Sequence, residues 1–156
     1  MEFSWGELME VALEEAAAAI AHGDVPVGAV VVGPAGDVLA HRHNERELTG
    51  DPTAHAELLA LRDAAARLGR WRLDDCVLVS TIEPCPMCAG AALAARIGTV
   101  VFGAPDAKAG ACGSLYNLAA DPRLNHDMAV VPGVRESEAA ALIRAFFAER
   151  RPAVEP

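Results

Sequence analysis

The chain has 156 residues, a length that suits one domain whose core stands without disulfide staples. Its apolar fraction is 53%, yet the apolar stretches are short and broken by charge or glycine, which excludes a membrane span. No signal peptide is evident, so a cytoplasmic location is expected, and the formal net charge of −9 excludes broad non-specific affinity for nucleic acid while leaving room for a local basic face.

Ser4-x-x-Glu7 opens a first helix as a capping box, with Phe3 and Leu8 placed as its hydrophobic staple. Leu8, Val11, Ala12, Ala16, Ala19 and Ile20 keep the helical period, and Gly23 is its stop. Strands follow at Val27–Val32 and Val38–His41, joined through the turn residues Pro34-Ala35-Gly36-Asp37. A polar loop runs from Arg42 to Asp51. A second helix spans about Thr53 to Leu68, started by Pro52 and Thr53. Cys76–Val79 reads as a buried strand, Met87–Arg96 as a helix and Thr99–Phe102 as a strand, an order that implies a parallel pair with a right-handed crossover. The long loop from Gly103 to Asp127 is of a length more often functional than idle. Met128–Val131 is a last strand, and about Glu136 to Arg150 a last helix with Leu142, Ala145 and Phe146 on one face. The order α-β-β-α-β-α-β-β-α predicts a mixed sheet with helices on both faces, in a single domain over residues 1–156.

The chemistry is carried by His55-Ala56-Glu57 and, downstream, Pro84-Cys85-Pro86-Met87-Cys88. His55, Cys85 and Cys88 are good zinc ligands, and three protein ligands leave one tetrahedral position for water, which is the arrangement of a catalytic rather than a structural zinc. A closed site would want a fourth ligand, and His22, His41, His43 and His126 all lack convincing spacing. The pattern H-x-E…P-C-x-x-C is the known signature of zinc deaminases that act on nucleobases. Residues two apart point to different sides of a regular helix, so His55 and Glu57 share a site only near a helix start. With Cys85 at a cap and Pro86 at the first helical position, Cys88 lies on the same side one turn later. Two helix N-termini then converge on one metal, where their partial positive charge lowers thiolate pKa. Zinc makes water acidic enough to attack at neutral pH; Glu57 takes its proton and returns it to the ring nitrogen and then to the leaving amine. The reaction class is hydrolysis of an amidine-like C–N bond in a nucleobase. Cys76, at the head of an apolar run, reads as a buried residue, while Cys112, in a glycine-rich loop, is expected to be more exposed.

Beyond these motifs the chain resembles the cytidine-deaminase-like superfamily and, within it, the bacterial tRNA-specific adenosine deaminases. The resemblance is carried by Val25–Val30, Asp51–Glu57, Glu83–Ala91, Arg96–Gly98, Val101–Ala104, Asp106–Lys108, Gly113–Leu115, Leu124–His126 and Phe146-Phe147. It implies a three-layer α/β/α sandwich with a mixed five-stranded sheet, one zinc per subunit and a homodimer. It also implies conversion of the wobble adenosine of an arginine tRNA anticodon to inosine, with release of ammonia. Asn44 would hold the purine through its side-chain amide, with help from a backbone amide near Ala56 and from Val27. Asp106, Lys108 and Phe146 would face the anticodon stem-loop: Lys108 on a phosphate, Asp106 on a ribose hydroxyl, and Phe146 or Phe147 stacked on a splayed base. Arg144, Arg150 and Arg151 would add a basic strip. The chain departs from the pattern at Glu45-Arg46, at Cys112 where a small residue is usual, and in the short tail after Phe147. Two rival readings stay open: a deaminase of free guanine, cytosine or a nucleoside, and a non-catalytic subunit that keeps zinc only for folding.

Overall fold

The computed structural model describes residues 3–150. Arg151 and the outermost residues of the expected 1–156 domain lie outside the described residues. Helix α1 (Trp5–Ala19) begins at the expected capping box: the Ser4 hydroxyl accepts from the Glu7 amide at 3.2 Å, and the Ser4 amide donates to the Glu7 carboxylate at 3.0 Å. A short 3₁₀ turn at Ile20–His22 extends it, and Gly23 ends it in the left-handed region at φ 77°.

Strands β1 (Gly28–Val32) and β2 (Val38–His43) form an antiparallel pair, followed by a one-turn helix α2 (Arg46–Thr49). Then come α3 (Ala56–Leu68), β3 (Val77–Ile82), α4 (Pro86–Ala94), β4 (Thr99–Ala104), β5 (Ala129–Val131) and α5 (Glu136–Arg150). The sheet order is β2-β1-β3-β4-β5, with β1 antiparallel to both neighbours and β4 parallel to β3 and β5. The five-stranded mixed sheet is therefore as expected.

Alternation along the central strands builds the three layers. Ala29, Val31, Leu78 and Val100 point to the face covered by Ala56, Ala60 and Ala64 of α3 and by Ala89 and Ala92 of α4. Their neighbours Val30, Val32, Val79 and Val101 point to the opposite face, under Leu8, Met9, Ala12 and Leu13 of α1 and Ala139 of α5. The many alanines on the helices let the backbones approach closely. The tightest approach is at Gly28, where a Cβ would stand 1.9 Å from the Ala12 carbonyl oxygen and 2.7 Å from the Ala16 nitrogen.

Three local departures from the sequence reading have physical causes. The helix expected from Thr53 begins at Ala56, because Asp51 Oδ1 accepts both the amide and the hydroxyl of Thr53, each at 2.8 Å, which closes a turn at Pro52-Thr53, and His55 after it is extended. The expected polar loop contains α2, held by the buried Asp24 carboxylate, which accepts from the amides of Glu47 and Leu48 at 2.8 and 3.2 Å. Strand β3 continues past Val79 to Ile82 because its polar residues are bonded: Thr81 Oγ1 accepts from the Gly28 amide at 3.1 Å, and Ser80 donates to the Ile82 carbonyl at 2.7 Å. Cys112 is buried, contrary to expectation, and burial pushes its thiol up to about 12. Cys76 is buried as expected. Among the described residues no helix is long and apolar enough to cross a membrane.

Gly28→Ala is expected to cost the upper end of the roughly 1–3 kcal/mol of core overpacking, because the atoms it meets are helix backbone and cannot rotate away. The urea midpoint should fall at an unchanged slope.

Candidate active site

The N-termini of α3 and α4 meet at one point. His55 is the N-cap of α3, Cys85 the N-cap of α4, Pro86 its first helical residue and Cys88 one turn in. His55 Nδ1 lies 3.6 Å from the Sγ of Cys85 and 3.6 Å from that of Cys88, and all three donor atoms lie within 4.8 Å of one another. A tetrahedral zinc with Zn–S near 2.3 Å and Zn–N near 2.0–2.1 Å sets an N···S edge of about 3.6 Å, so the two measured edges and the donor types both fit that ion. Both helices also direct their partial positive charge at the site, which favours thiolate.

The two thiols are pushed in opposite directions. The hydrogen bond from Cys88 pulls the Cys85 thiol down to about 4, with a further contribution from the His55 imidazole, against the burial that would raise it. Cys88, on the proton-bearing side of that bond and more deeply buried, is pushed up. His55 is raised from its ordinary value, first by its hydrogen bond to Cys85.

Glu57 stands in the first turn of α3, 2% exposed. Its Oε1 is buried and has no hydrogen-bond partner among the described residues. Burial is the main cause that pushes its carboxyl up to about 7. A buried carboxylate oxygen left unbonded beside three metal-type donors is suited to taking up a proton.

His55 and Glu57 open into a cleft of about 830 Å³. Of the residues expected to bind substrate, Val27, Asn44, Asp106, Lys108 and Phe146 line it. The Asn44 side chain is already bonded twice: Oδ1 accepts from the Ala56 amide at 2.8 Å, and Nδ2 donates to the Val25 carbonyl at 3.0 Å. This leaves the amide one further N–H and one further lone pair. Ala56 itself is fully buried, and its amide is directed to Asn44. Asp106 Oδ1 accepts from the amides of Lys108 and Ala109, closing a tight turn at 3.0 and 3.2 Å. Of the two phenylalanines, Phe146 is 5% exposed and covered by the Arg150 guanidinium at 3.7 Å from its ring centre, whereas Phe147 is 46% exposed in the same cleft. Of the two rings offered for stacking, Phe147 is therefore the exposed one and Phe146 packs inward. Neighbours on a helix face different ways, and the inward one is Phe146, on the face that it shares with Leu142.

Two positions carry more of the site than sequence reasoning assigned them. Arg46 lines the cleft through the unforeseen α2. Glu83, two residues before Cys85, is 1% exposed and accepts hydrogen bonds from the amides of Asp106, Cys112 and Ser114 and from the Ser114 hydroxyl. Against its burial, the Ser114 hydroxyl and these amides hold its carboxyl below the usual range. An acid just before the metal motif is a visible signal; its partners 23 to 31 residues away are not.

A family model for the cytidine and deoxycytidylate deaminase zinc-binding region matches residues 5–104. A tRNA-specific adenosine deaminase of Bacillus subtilis (strain 168) is 47% identical over 143 residues, 92% of this chain and 88% of the relative. A tRNA(Ile)-lysidine synthase of Deinococcus radiodurans is 50% identical over 143 residues, which is 92% of this chain but only 24% of that longer protein. A solved structure from studies of A-to-I editing by tRNA:A34 deaminases at the wobble position superposes with a TM-score of 0.83. It is 41% identical to this chain and covers 86% of it and 97% of its own length.

The Cys85 value of about 4 sets a thiol-reactivity test. After the metal is stripped, Cys85 is thiolate at pH 6, while Cys76 and Cys112, pushed up to about 11 and 12, remain thiols. Alkylation at pH 6 followed by mass spectrometry should label Cys85 first, and added zinc should protect it.

Proposed function

The chain belongs to the cytidine and deoxycytidylate deaminase family, and on that premise we propose that it converts the wobble adenosine of a tRNA anticodon, that of an arginine tRNA, to inosine. The observation that carries this reading is the cleft. At about 830 Å³ it lies in the upper part of the roughly 300–1,000 Å³ range of pockets for small ligands, and so accommodates a nucleotide with part of its flanks. Arg46, Lys108 and Arg150 line it beside the carboxylates of Asp24, Glu47, Glu57 and Asp106, so phosphate contact falls to three individual cations and not to a basic face.

His55, Cys85 and Cys88 hold one zinc per subunit. Bound there, zinc supplies Lewis acidity that brings the pKa of water toward about 7. Glu57 does the proton work. Its unbonded Oε1 takes one proton of the attacking water and delivers it to the purine ring nitrogen; a second transfer carries the remaining proton of the new C6 hydroxyl to the exocyclic amine. The C6–O bond forms, the C6–N bond breaks, and ammonia leaves. Asn44, fixed by Val25 and Ala56, holds the purine with its remaining N–H and lone pair beside Val27. Lys108 meets a phosphate, Asp106 a ribose hydroxyl, and Phe147 a splayed base.

In this reading the protein is a cytoplasmic homodimer of one-domain subunits spanning 1–156. Leu115, Tyr116 and Leu124, exposed on the long loop, are apolar surface that pairing covers.

The test is a side-by-side assay of the zinc-loaded protein on an arginine-tRNA anticodon stem-loop with wobble adenosine, free guanine, free cytosine and cytidine. Inosine in the stem-loop alone is expected, with KM rising steeply with salt. Turnover of a free base with an inert stem-loop would replace the RNA reading by that of a base deaminase. Zinc retained with no turnover of any substrate would leave a non-catalytic subunit.

Glu57→Gln should keep one zinc per chain and lose at least about 10²–10⁴ in kcat. Cys88→Ala should lose the metal, and atomic absorption separates the two outcomes.

A further inference from the structure

Residues 105–128, between β4 and β5, contain no helix or strand, only an isolated bridge pairing Cys112 with Asn117. A segment this long without a ladder must satisfy its backbone donors elsewhere. Part of the answer is Glu83. Its Oε1 accepts from the Asp106 amide at 3.1 Å and from the Ser114 hydroxyl, and its Oε2 accepts from the Cys112 and Ser114 amides, both at 3.0 Å. An ionised carboxylate is acceptor-only, with about four lone-pair sites, and four donors converge on this one. The fit is close: a Cβ on Gly110 would stand 2.4 Å from the Glu83 carboxyl carbon. The backbone of the same tripeptide reinforces the join, since the Glu83 amide donates to the Ala104 carbonyl at 2.8 Å and the Ala111 amide to the Pro84 carbonyl at 2.9 Å.

Glu83-Pro84-Cys85 therefore has two ends with different work. At one end Cys85 is a metal-type donor. At the other, Glu83 pins the loop whose first residues, Pro105 to Lys108, form a wall of the cleft. We propose that Glu83 is a positioning residue for the substrate: it holds the Pro105–Lys108 wall in fixed register with Cys85, so that the strand flanking the target base is gripped while the base sits over the metal donors. This rests on the RNA-editing reading, and its signature is on KM. Glutamine at this position offers one acceptor oxygen and turns an N–H₂ toward backbone donors, so it unpins the loop without changing side-chain length.

The experiment compares wild type, Glu83→Gln and Ser114→Ala, each zinc-loaded. It measures zinc content, kcat and KM on the anticodon stem-loop, and hydrogen exchange resolved along the chain. In Glu83→Gln, zinc should stay at one per chain, kcat should stay within about threefold, and KM should rise at least about tenfold as several buried donors lose their acceptor. Ser114→Ala, which removes one donor, should raise KM by about threefold to fivefold. Exchange should quicken at the amides of 106–114 and not in α3 or α4. Unchanged KM with faster loop exchange would overturn the proposal, since the loop would then be pinned for stability alone. Loss of zinc or a fall in kcat at constant KM would overturn it in favour of a role on the metal loop. If Glu83→Gln fails to fold, the Ser114→Ala signature decides, and its absence overturns the proposal. A wild-type protein inert on the stem-loop is a failure of the editing reading, visible separately because the exchange measurement needs no activity.

Discussion

His55 and Cys85 cap α3 and α4 side by side, with His55 Nδ1 3.6 Å from the Cys85 sulfur, and neither helix would hold that position alone. Isolated helices of 13 and 9 residues are marginal in water. Both are held instead by packing their alanine faces on one side of the sheet, where Ala56, Ala60, Ala89 and Ala92 are fully buried. On the other side the approach of β1 to α1 is closer still, with glycine at the contact. The middle layer is thus clamped from both faces, and the convergence of two helix starts is the product of that clamp. Partial positive charge from both helices then collects where thiolates and an imidazole are needed.

Three carboxylates are buried among the described residues, and they are treated differently. Asp24 accepts the amides of Glu47 and Leu48 and bonds His22, so it holds α2 against the end of α1. Glu83 accepts four hydrogen bonds and holds the long loop. Both are kept below the usual carboxylate range, because donors outweigh the burial. Glu57 has an oxygen with no partner and is pushed the other way by burial. An unsatisfied buried polar atom costs free energy, so Glu57 is held at a cost that the two saturated carboxylates do not carry. Those two border the cleft, one through α2 and Arg46, the other through Asp106 and Lys108.

The acidic composition and the RNA reading are compatible because charge is unevenly used. Much of it is paired locally, as in Arg70 with Asp75 and Arg123 with Asp121, and exposed pairs of this kind contribute little net attraction for a polyanion. Arg46, Lys108 and Arg150 reach the cleft beside the exposed ring of Phe147, among the carboxylates of Asp24, Glu47, Glu57 and Asp106, of which Asp24 and Asp106 are taken up by backbone amides.

The cluster of metal-type donors, the place of Glu57 beside it, the capping box of α1 and the mixed sheet were legible in the linear chain, because each rests on spacing within one helical turn or on alternation along one strand. His55, Glu57, Cys85 and Cys88 all sit at helix starts, where a few residues decide geometry. What needed the tertiary structure was every feature set by partners far apart in sequence. The start of α3 moved to Ala56 because an aspartate captured Thr53 first. The Asn44 amide is engaged by Val25 and Ala56, 19 and 12 residues away. Phe147 is the exposed ring because α5 packs through the face that carries Leu142 and Phe146, and only that packing shows Phe147 lining the cleft. Glu83 gathers donors from a loop that has no periodicity to read. Local spacing is written in the chain, but which side chain fills which gap is decided only when the layers close.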